Sequence, residues 1–191
     1  PAFGYFYGYG WFDWMLFGLF YMVTGLGITV GYHRLISHRA FVCRDVVKVA
    51  LLIAGGWAME NSALKWCGDH VRHHAFVDTD MDPYHAKRGF WWSHVGWIFY
   101  KYPLGINVKY DGSFRKDKWV MWQHRYYVPI VLSGLALPAF IGFLHRGWIG
   151  AASAFLLAGV ARVFLVLNST FCINSIWHLW GSQPYDDKNT S

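Results

Sequence analysis

Six of the ten histidines in this chain stand in three short groups, and imidazole at such density is the chemistry of a metal centre. His33 and His38 frame HRLISH, His70, His73 and His74 lie in HVRHH, and His178 closes NSIWH. The spacing i, i+3, i+4 of His70, His73 and His74 sets all three on one face of a helix. Asn174 and His178 form a second i, i+4 pair. His33 and His38 are five apart, which suits a helix end where the backbone loosens. Neutral imidazole binds iron, zinc and other borderline metals. Six such ligands exceed the four of a structural zinc site and point to two metals. A nearly all-histidine set beside apolar helices favours iron and oxygen chemistry over sulfur-rich structural zinc.

The remaining polar residues sort around that centre. Cys43, Cys67 and Cys172 form no paired pattern and read as free thiols. His85, His94, His124 and His145 lack the grouped spacing and are expected in surface, interface or hydrogen-bonding roles. Asp78, Asp80 and Asp82 imitate the start of a calcium loop. Pro83 and Gly89 stand where that loop needs Gly and Glu, so the motif is rejected. Asp69 and these aspartates are expected to accept bonds from ligand histidines or to cap turns.

The elements that must carry these groups are membrane segments. Of 191 residues, 55% are hydrophobic and 20% aromatic, while only 15% are charged, against a usual share of about 25%. The net charge of +6 comes without a basic stripe interleaved with surface aromatics, so no nucleic-acid partner is expected. Residues 11–31 are long enough to span a bilayer and end directly at His33. Arg34, Arg39, Arg44 and Lys48 follow at once, which puts that end in the cytosol. Residues 46–63 are apolar but short, and read as an interfacial or re-entrant segment. Residues 126–144 and 148–168 are two further spans. The turn HRGW joins them so tightly that they must form an antiparallel hairpin. Asp13 sits near a span end, where a charge is cheap. Arg162 lies inside the last span and is expected to snorkel or to face a polar interior. All three histidine groups then fall on one side of the membrane, making an integral, multi-pass protein with its histidine-rich cap on the cytosolic side.

The extended blocks around these residues resemble the membrane fatty-acyl desaturases, specifically the delta-9 acyl-CoA (stearoyl-CoA type) desaturases and their bacterial relatives. GITVGYHRLISHRAF is similar to the first histidine box with its lead-in helix. DHVRHHAFVDTDMDPYHAKRGFWWSHVGW is similar to the second, and WQHRYYVP and FCINSIWHLWGSQPYDDKN to later blocks. The resemblance implies an all-α, polytopic membrane helical domain under a cytosolic histidine-rich cap, forming one desaturase-like domain over 1–191. It also implies two Fe ions, with O2 as co-substrate. His33, His38, His70, His73, His74 and His178 match ligand positions, and Asn174 matches a residue that holds iron through water. Asn61, Trp66, Asp69 and Lys101 match contacts to the substrate headgroup. Gly68 replaces the Arg that animal members carry beside that Asp. Phe17 and Tyr21 stand where the family's acyl tunnel closes, implying a short tunnel.

The function so implied is oxygen-dependent insertion of a cis double bond, at the delta-9 position, into an acyl-CoA or other acyl thioester. Electrons would come from cytochrome b5 or a ferredoxin-like donor. Measured against the family pattern, the chain reads as an internal fragment, without the first membrane helix and the C-terminal histidine box. The alternatives are a membrane di-iron hydroxylase acting on alkyl chains or lipids, and a non-catalytic membrane fragment.

Overall fold

A computed structural model describes residue 4, residues 7–100 and residues 112–180. Lys101 lies outside the described residues. Every regular element among them is helical.

Helix α1 (Trp11–Leu26) opens at Gly10, whose N–H donates to the Asp13 carboxylate at 2.9 Å. Asp13 is buried and lies 3.8 Å from Arg146, so this carboxylate is enclosed at the helix start rather than left in an open interface. Trp14, Met15, Leu19, Met22 and Leu26 are exposed, giving the helix an apolar outer face. The chain continues without a break through Gly27–Ser37 in wider, π-type turns. The whole of Trp11–Ser37 is long and apolar enough to cross a membrane.

Glycine permits the close approach that positions the end of this helix. Helix α2 (Asp45–Gly56) packs so tightly on it that a Cβ on Gly27 would overlap the backbone of Ala54 and Gly55. A Cβ on Gly55 would in turn strike the Tyr32 ring. Small residues allow backbones to meet in this way, and the packing that follows fixes the adjoining turns. Helix α2 is shorter than the apolar stretch at 46–63, because the chain leaves helical geometry after Gly56. Met59 and Asn61 both take positive φ there.

Helix α3 (Ala63–Phe76) starts from this bend. Its first N–H groups lack intrahelical partners, and one is satisfied from elsewhere in the fold. Ala63 N donates to Gln123 Oε1 at 2.9 Å, while the Gln123 amide donates to Tyr32 Oη at 2.7 Å. Gln123 belongs to α5 (Lys118–Arg125), which follows the short α4 (Phe90–His94). Helix α5 is capped by Asp117, whose carboxylate accepts from Trp119 N and Val120 N and pairs with Lys48 at 2.8 Å. Thus the π-type segment Gly27–Ser37, α3 and α5 are tied by one buried glutamine.

Helix α6 (Tyr127–Ala154) reverses direction at Arg146 and Gly147, where Gly147 takes φ +58°. It runs on through a π-type segment (Phe155–Ala161) into α7 (Arg162–Leu179). The returning arm packs against the outgoing one. Gly142 faces Gly150, Leu135 faces Gly159, and the Arg162 guanidinium donates to Gly134 O at 2.9 Å. Tyr127–Leu179 is the second stretch with the length and composition to cross a membrane. Arg162 is fully buried and turned inward. It donates to Ala158 O, Trp57 O and Gly134 O, so its charge is spread over three carbonyls.

Candidate metal centre

The π-type turns at the end of α1 explain the five-residue histidine spacing. A π-helix bonds i to i+5, and His38 N donates to His33 O at 3.0 Å. The two rings consequently lie 4.5 Å apart, edge to face. From α3, one turn brings His70 and His74 to the same place. His38 Nε2 lies 3.0 Å from His70 Nε2, which lies 3.1 Å from His74 Nε2. One ligand nitrogen from each of His33, His38, His70 and His74 falls within 4.8 Å of all the others. Metal–imidazole bonds of about 2.1 Å set ligand nitrogens roughly 3 to 4 Å apart, so this donor set fits a borderline metal such as iron.

Electrostatics keep these rings available. Burial, reinforced by the facing imidazoles of His74, His33, His38 and His73, pushes His70 down to about 2. Burial and the imidazoles of His73, His38, His33 and His178 push His74 down to about 4. Both are neutral across the physiological range, and a neutral ring is what a metal requires. The Trp66 indole stacks on His70 at 4.9 Å and 21°, which fixes the ring plane.

His73 and His178 are not among those four; the His73 ring lies 5.3 Å from His178 and 5.4 Å from His74, so it bridges the two. His73 is buried, and its Nδ1 lies 2.8 Å from Asp82 Oδ1. Asp82 also accepts from Tyr84 N at 2.9 Å and Asp78 N at 3.3 Å, so the carboxylate is held before it holds the imidazole. A carboxylate on one ring nitrogen orients the other. Cys67 is buried, donates to Tyr32 O at 3.4 Å and lies outside both groups. His94 bonds Ser175 and His124 bonds Ser62, each through a ring nitrogen.

Two cavities meet at the centre. One, of about 440 Å³, is lined by polar groups that include Asn61, Lys65, Asp69 and Arg72. Arg72 is fully buried and pairs with Asp69 at 3.5 Å. The other, of about 360 Å³, is mostly apolar and lies between α1 and α7, with Met22, Leu26, Ile28 and Val166 in its wall. Tyr21 Oη and Ser169 Oγ lie 3.0 Å apart on its lining, and Phe17 stacks on Tyr21. Trp66, His70, Thr170 and Asn174 line both cavities. Sequence reasoning did not single out Thr170 or Glu60, which bond one another across 110 positions. No local pattern marks such a pair.

The comparisons with known proteins cover almost the whole chain. The family model described as Fatty acid desaturase matches residues 9–191. A probable acyl-CoA desaturase of Schizosaccharomyces pombe is 42% identical over 176 residues, covering 91% of this chain and 36% of that protein. The stearoyl-CoA desaturases of Capra hircus and Homo sapiens are each 39% identical, covering 92% and 94% of this chain and 49% and 51% of those proteins. The chain therefore spans about a third to a half of the length of these relatives. They are eukaryotic, so the likeness is not particular to bacterial members. A family match over almost the whole chain and identities near 40% lead to one assignment: the chain belongs to the fatty acid desaturase family.

Proposed function

We propose that this chain forms the metal-binding and acyl-binding part of an oxygen-dependent di-iron desaturase, which inserts a cis double bond at the delta-9 position of an acyl-CoA or related thioester. One observation carries the reading: a polar cavity and an apolar cavity share a wall at His70 and Asn174, beside the four-imidazole group. A ligand with a polar head and a long apolar tail would pass that centre with its methylenes.

His33, His38, His70 and His74 would hold one iron. His73 and His178 would contribute to the other, with Asn174 acting through water. Iron held there would, with O2, supply the oxidising power for removing two hydrogens from adjacent methylenes; two electrons from a cytochrome b5 or ferredoxin-like donor and two protons would complete the reduction of O2 to two waters. The protein's own task is placement. Neutral imidazoles present lone pairs, and the stacked Trp66 keeps the His70 ring in plane. The apolar walls at Met22, Leu26 and Val166 exclude water from the tail. Asn61, Trp66 and Asp69 line the polar cavity, where a headgroup would bind, and Lys101 is assigned to the same role by resemblance alone. An unactivated methylene offers no acidic proton, so no general base is required.

The test is product analysis. Membranes carrying the protein, supplied with stearoyl-CoA, O2 and a reducing system, should yield a monounsaturated acyl chain. A hydroxylated chain would replace this reading with the alkyl hydroxylase. Iron-loaded protein that yields neither product would overturn it.

A further inference from the structure

A third cavity, of about 510 Å³, is lined by no histidine and shares no residue with the two cavities at the metal centre. It opens where the chain leaves the first membrane-length stretch and turns into α2. Its floor is apolar: Leu35 and Ile36 from the last π-type turns and Phe114 from the short turn before α5, all buried. Its walls carry charge. Lys48 and Asp117 neutralise one another at 2.8 Å, and that carboxylate also caps α5. Arg39 and Lys116 are exposed, and among the described residues neither has an acidic partner. The cavity therefore sets two uncompensated positive charges over an apolar floor.

The rim is apolar as well. Val42 lines the cavity and is 97% exposed, and Phe41 beside it is also exposed. Val46 and Val47 extend this surface onto the first turn of α2, with the exposed Arg44 among them. Water disfavours such a run, whereas the boundary of a bilayer suits apolar side chains interleaved with cations. Helix α2 runs antiparallel to the π-type segment, with Gly55 against Gly27 and Leu51 against Gly31. Its first turn, and the cavity with it, thus lies beside the end of the stretch that can cross a membrane.

We propose that this cavity binds the headgroup of an anionic phospholipid from the surrounding bilayer, with Arg39 and Lys116 on its phosphate and Phe41 and Val42 against its glycerol and first methylenes. A guanidinium offers a fork of N–H donors to two phosphate oxygens, and an ammonium adds a compact charge beside it. The apolar floor and rim match the part of a phospholipid that lies next to its phosphate, which a free anion lacks. An acidic protein would use the two cations but not the enclosed apolar floor. The site stands independently of the acyl-desaturase reading.

Native mass spectrometry of the detergent-solubilised protein, titrated with dioleoyl-phosphatidylglycerol or dioleoyl-phosphatidylcholine, tests the site. Wild type should retain phosphatidylglycerol the more tightly. Each basic residue near an anionic lipid is worth about fivefold in affinity, so Arg39→Gln combined with Lys116→Gln should weaken phosphatidylglycerol by about 25-fold. Phosphatidylcholine should change little. Lys87→Gln combined with Arg88→Gln removes the same charge from the loop after α3 and should leave lipid retention as in wild type. Val42→Asn keeps both cations, alters only an exposed side chain, and should weaken phosphatidylglycerol by about fivefold through lost apolar contact. Equal retention of the two lipids by wild type overturns the proposal, as does equal weakening by the Lys87 and Arg88 pair. Displacement of the lipid by inorganic phosphate would make this a free-anion site and overturn it too. Retention of phosphatidylglycerol by the Arg39 and Lys116 pair, together with lost binding of an acidic protein such as cytochrome b5, would give the surface to a protein partner instead.

Discussion

The two histidine groups are built in opposite ways. His33, His38, His70 and His74 are gathered by local backbone geometry: one π-type turn at the end of α1 and one α-helical turn in α3. His73 and His178 meet from distant elements, and His73 is aimed by Asp82, a carboxylate on a loop that is itself held by two backbone N–H groups. The first arrangement places four nitrogens within 4.8 Å of one another. The second has two rings and depends on a third residue for orientation. The first set is steadied by packing, with the Trp66 indole stacked on His70, and the second by a carboxylate on His73.

That contrast can be broken most severely at its densest point. His70→Ala should remove metal from the four-imidazole group by more than about 100-fold, since loss of a ligand exceeds the 10- to 100-fold effect typical of outer-shell changes. Bound-metal analysis and the cobalt absorption spectrum would read it. Retention of the wild-type spectrum would show that the ring nitrogens do not converge on a metal. Asp82→Asn should be milder, about 10- to 100-fold in metal retention, and confined to the His73–His178 pair. Equal loss from both groups would erase the distinction drawn here.

Packing comes next in size. Gly27→Val places side-chain atoms where the backbone of Gly55 now lies, and overpacking of this kind costs about 1–3 kcal/mol. Thermal unfolding in detergent should show the loss, and the four-imidazole group should suffer more than the braced pair. The smallest effect lies outside both groups. Asp117→Ala removes the α5 cap, worth about 1 kcal/mol. Burial raises the Asp117 carboxyl, but bonds from Lys48, Val120 N and Trp119 N outweigh it, and the net shift is downward. A depressed carboxyl stabilises above the ordinary carboxylate range and loses that contribution as pH falls through its folded value. Wild type and Asp117→Ala should therefore differ at neutral pH and converge in acid, with metal content unchanged at neutral pH.

How far these features were legible in the sequence depends on their range. The i, i+3, i+4 spacing of His70, His73 and His74 carried directly into one helix face, because the helical period is fixed. The five-residue step from His33 to His38 marked a loosened helix end, but not its π-type form, because the residue types of GITVGYHRLIS suit either turn. Gly147 in HRGW announced a reversal, since its positive φ suits glycine. Asp13 was misjudged as a cheap interfacial charge. It is buried against Arg146, a residue more than 130 positions away. Glu60 carries no local mark, because its partner Thr170 lies 110 positions away in the chain.

Arg162 bears on how the fold is assembled in the bilayer. A lone arginine at mid-membrane costs roughly 2.5–3.5 kcal/mol on insertion scales, and the hairpin of α6 and α7 supplies it with Ala158 O and Gly134 O alone. The third acceptor, Trp57 O, belongs to the end of α2, which a ribosome makes about a hundred residues earlier. The hairpin therefore settles fully only by docking onto a segment already present. The guanidinium thereby fastens both arms of the hairpin to the bend after α2.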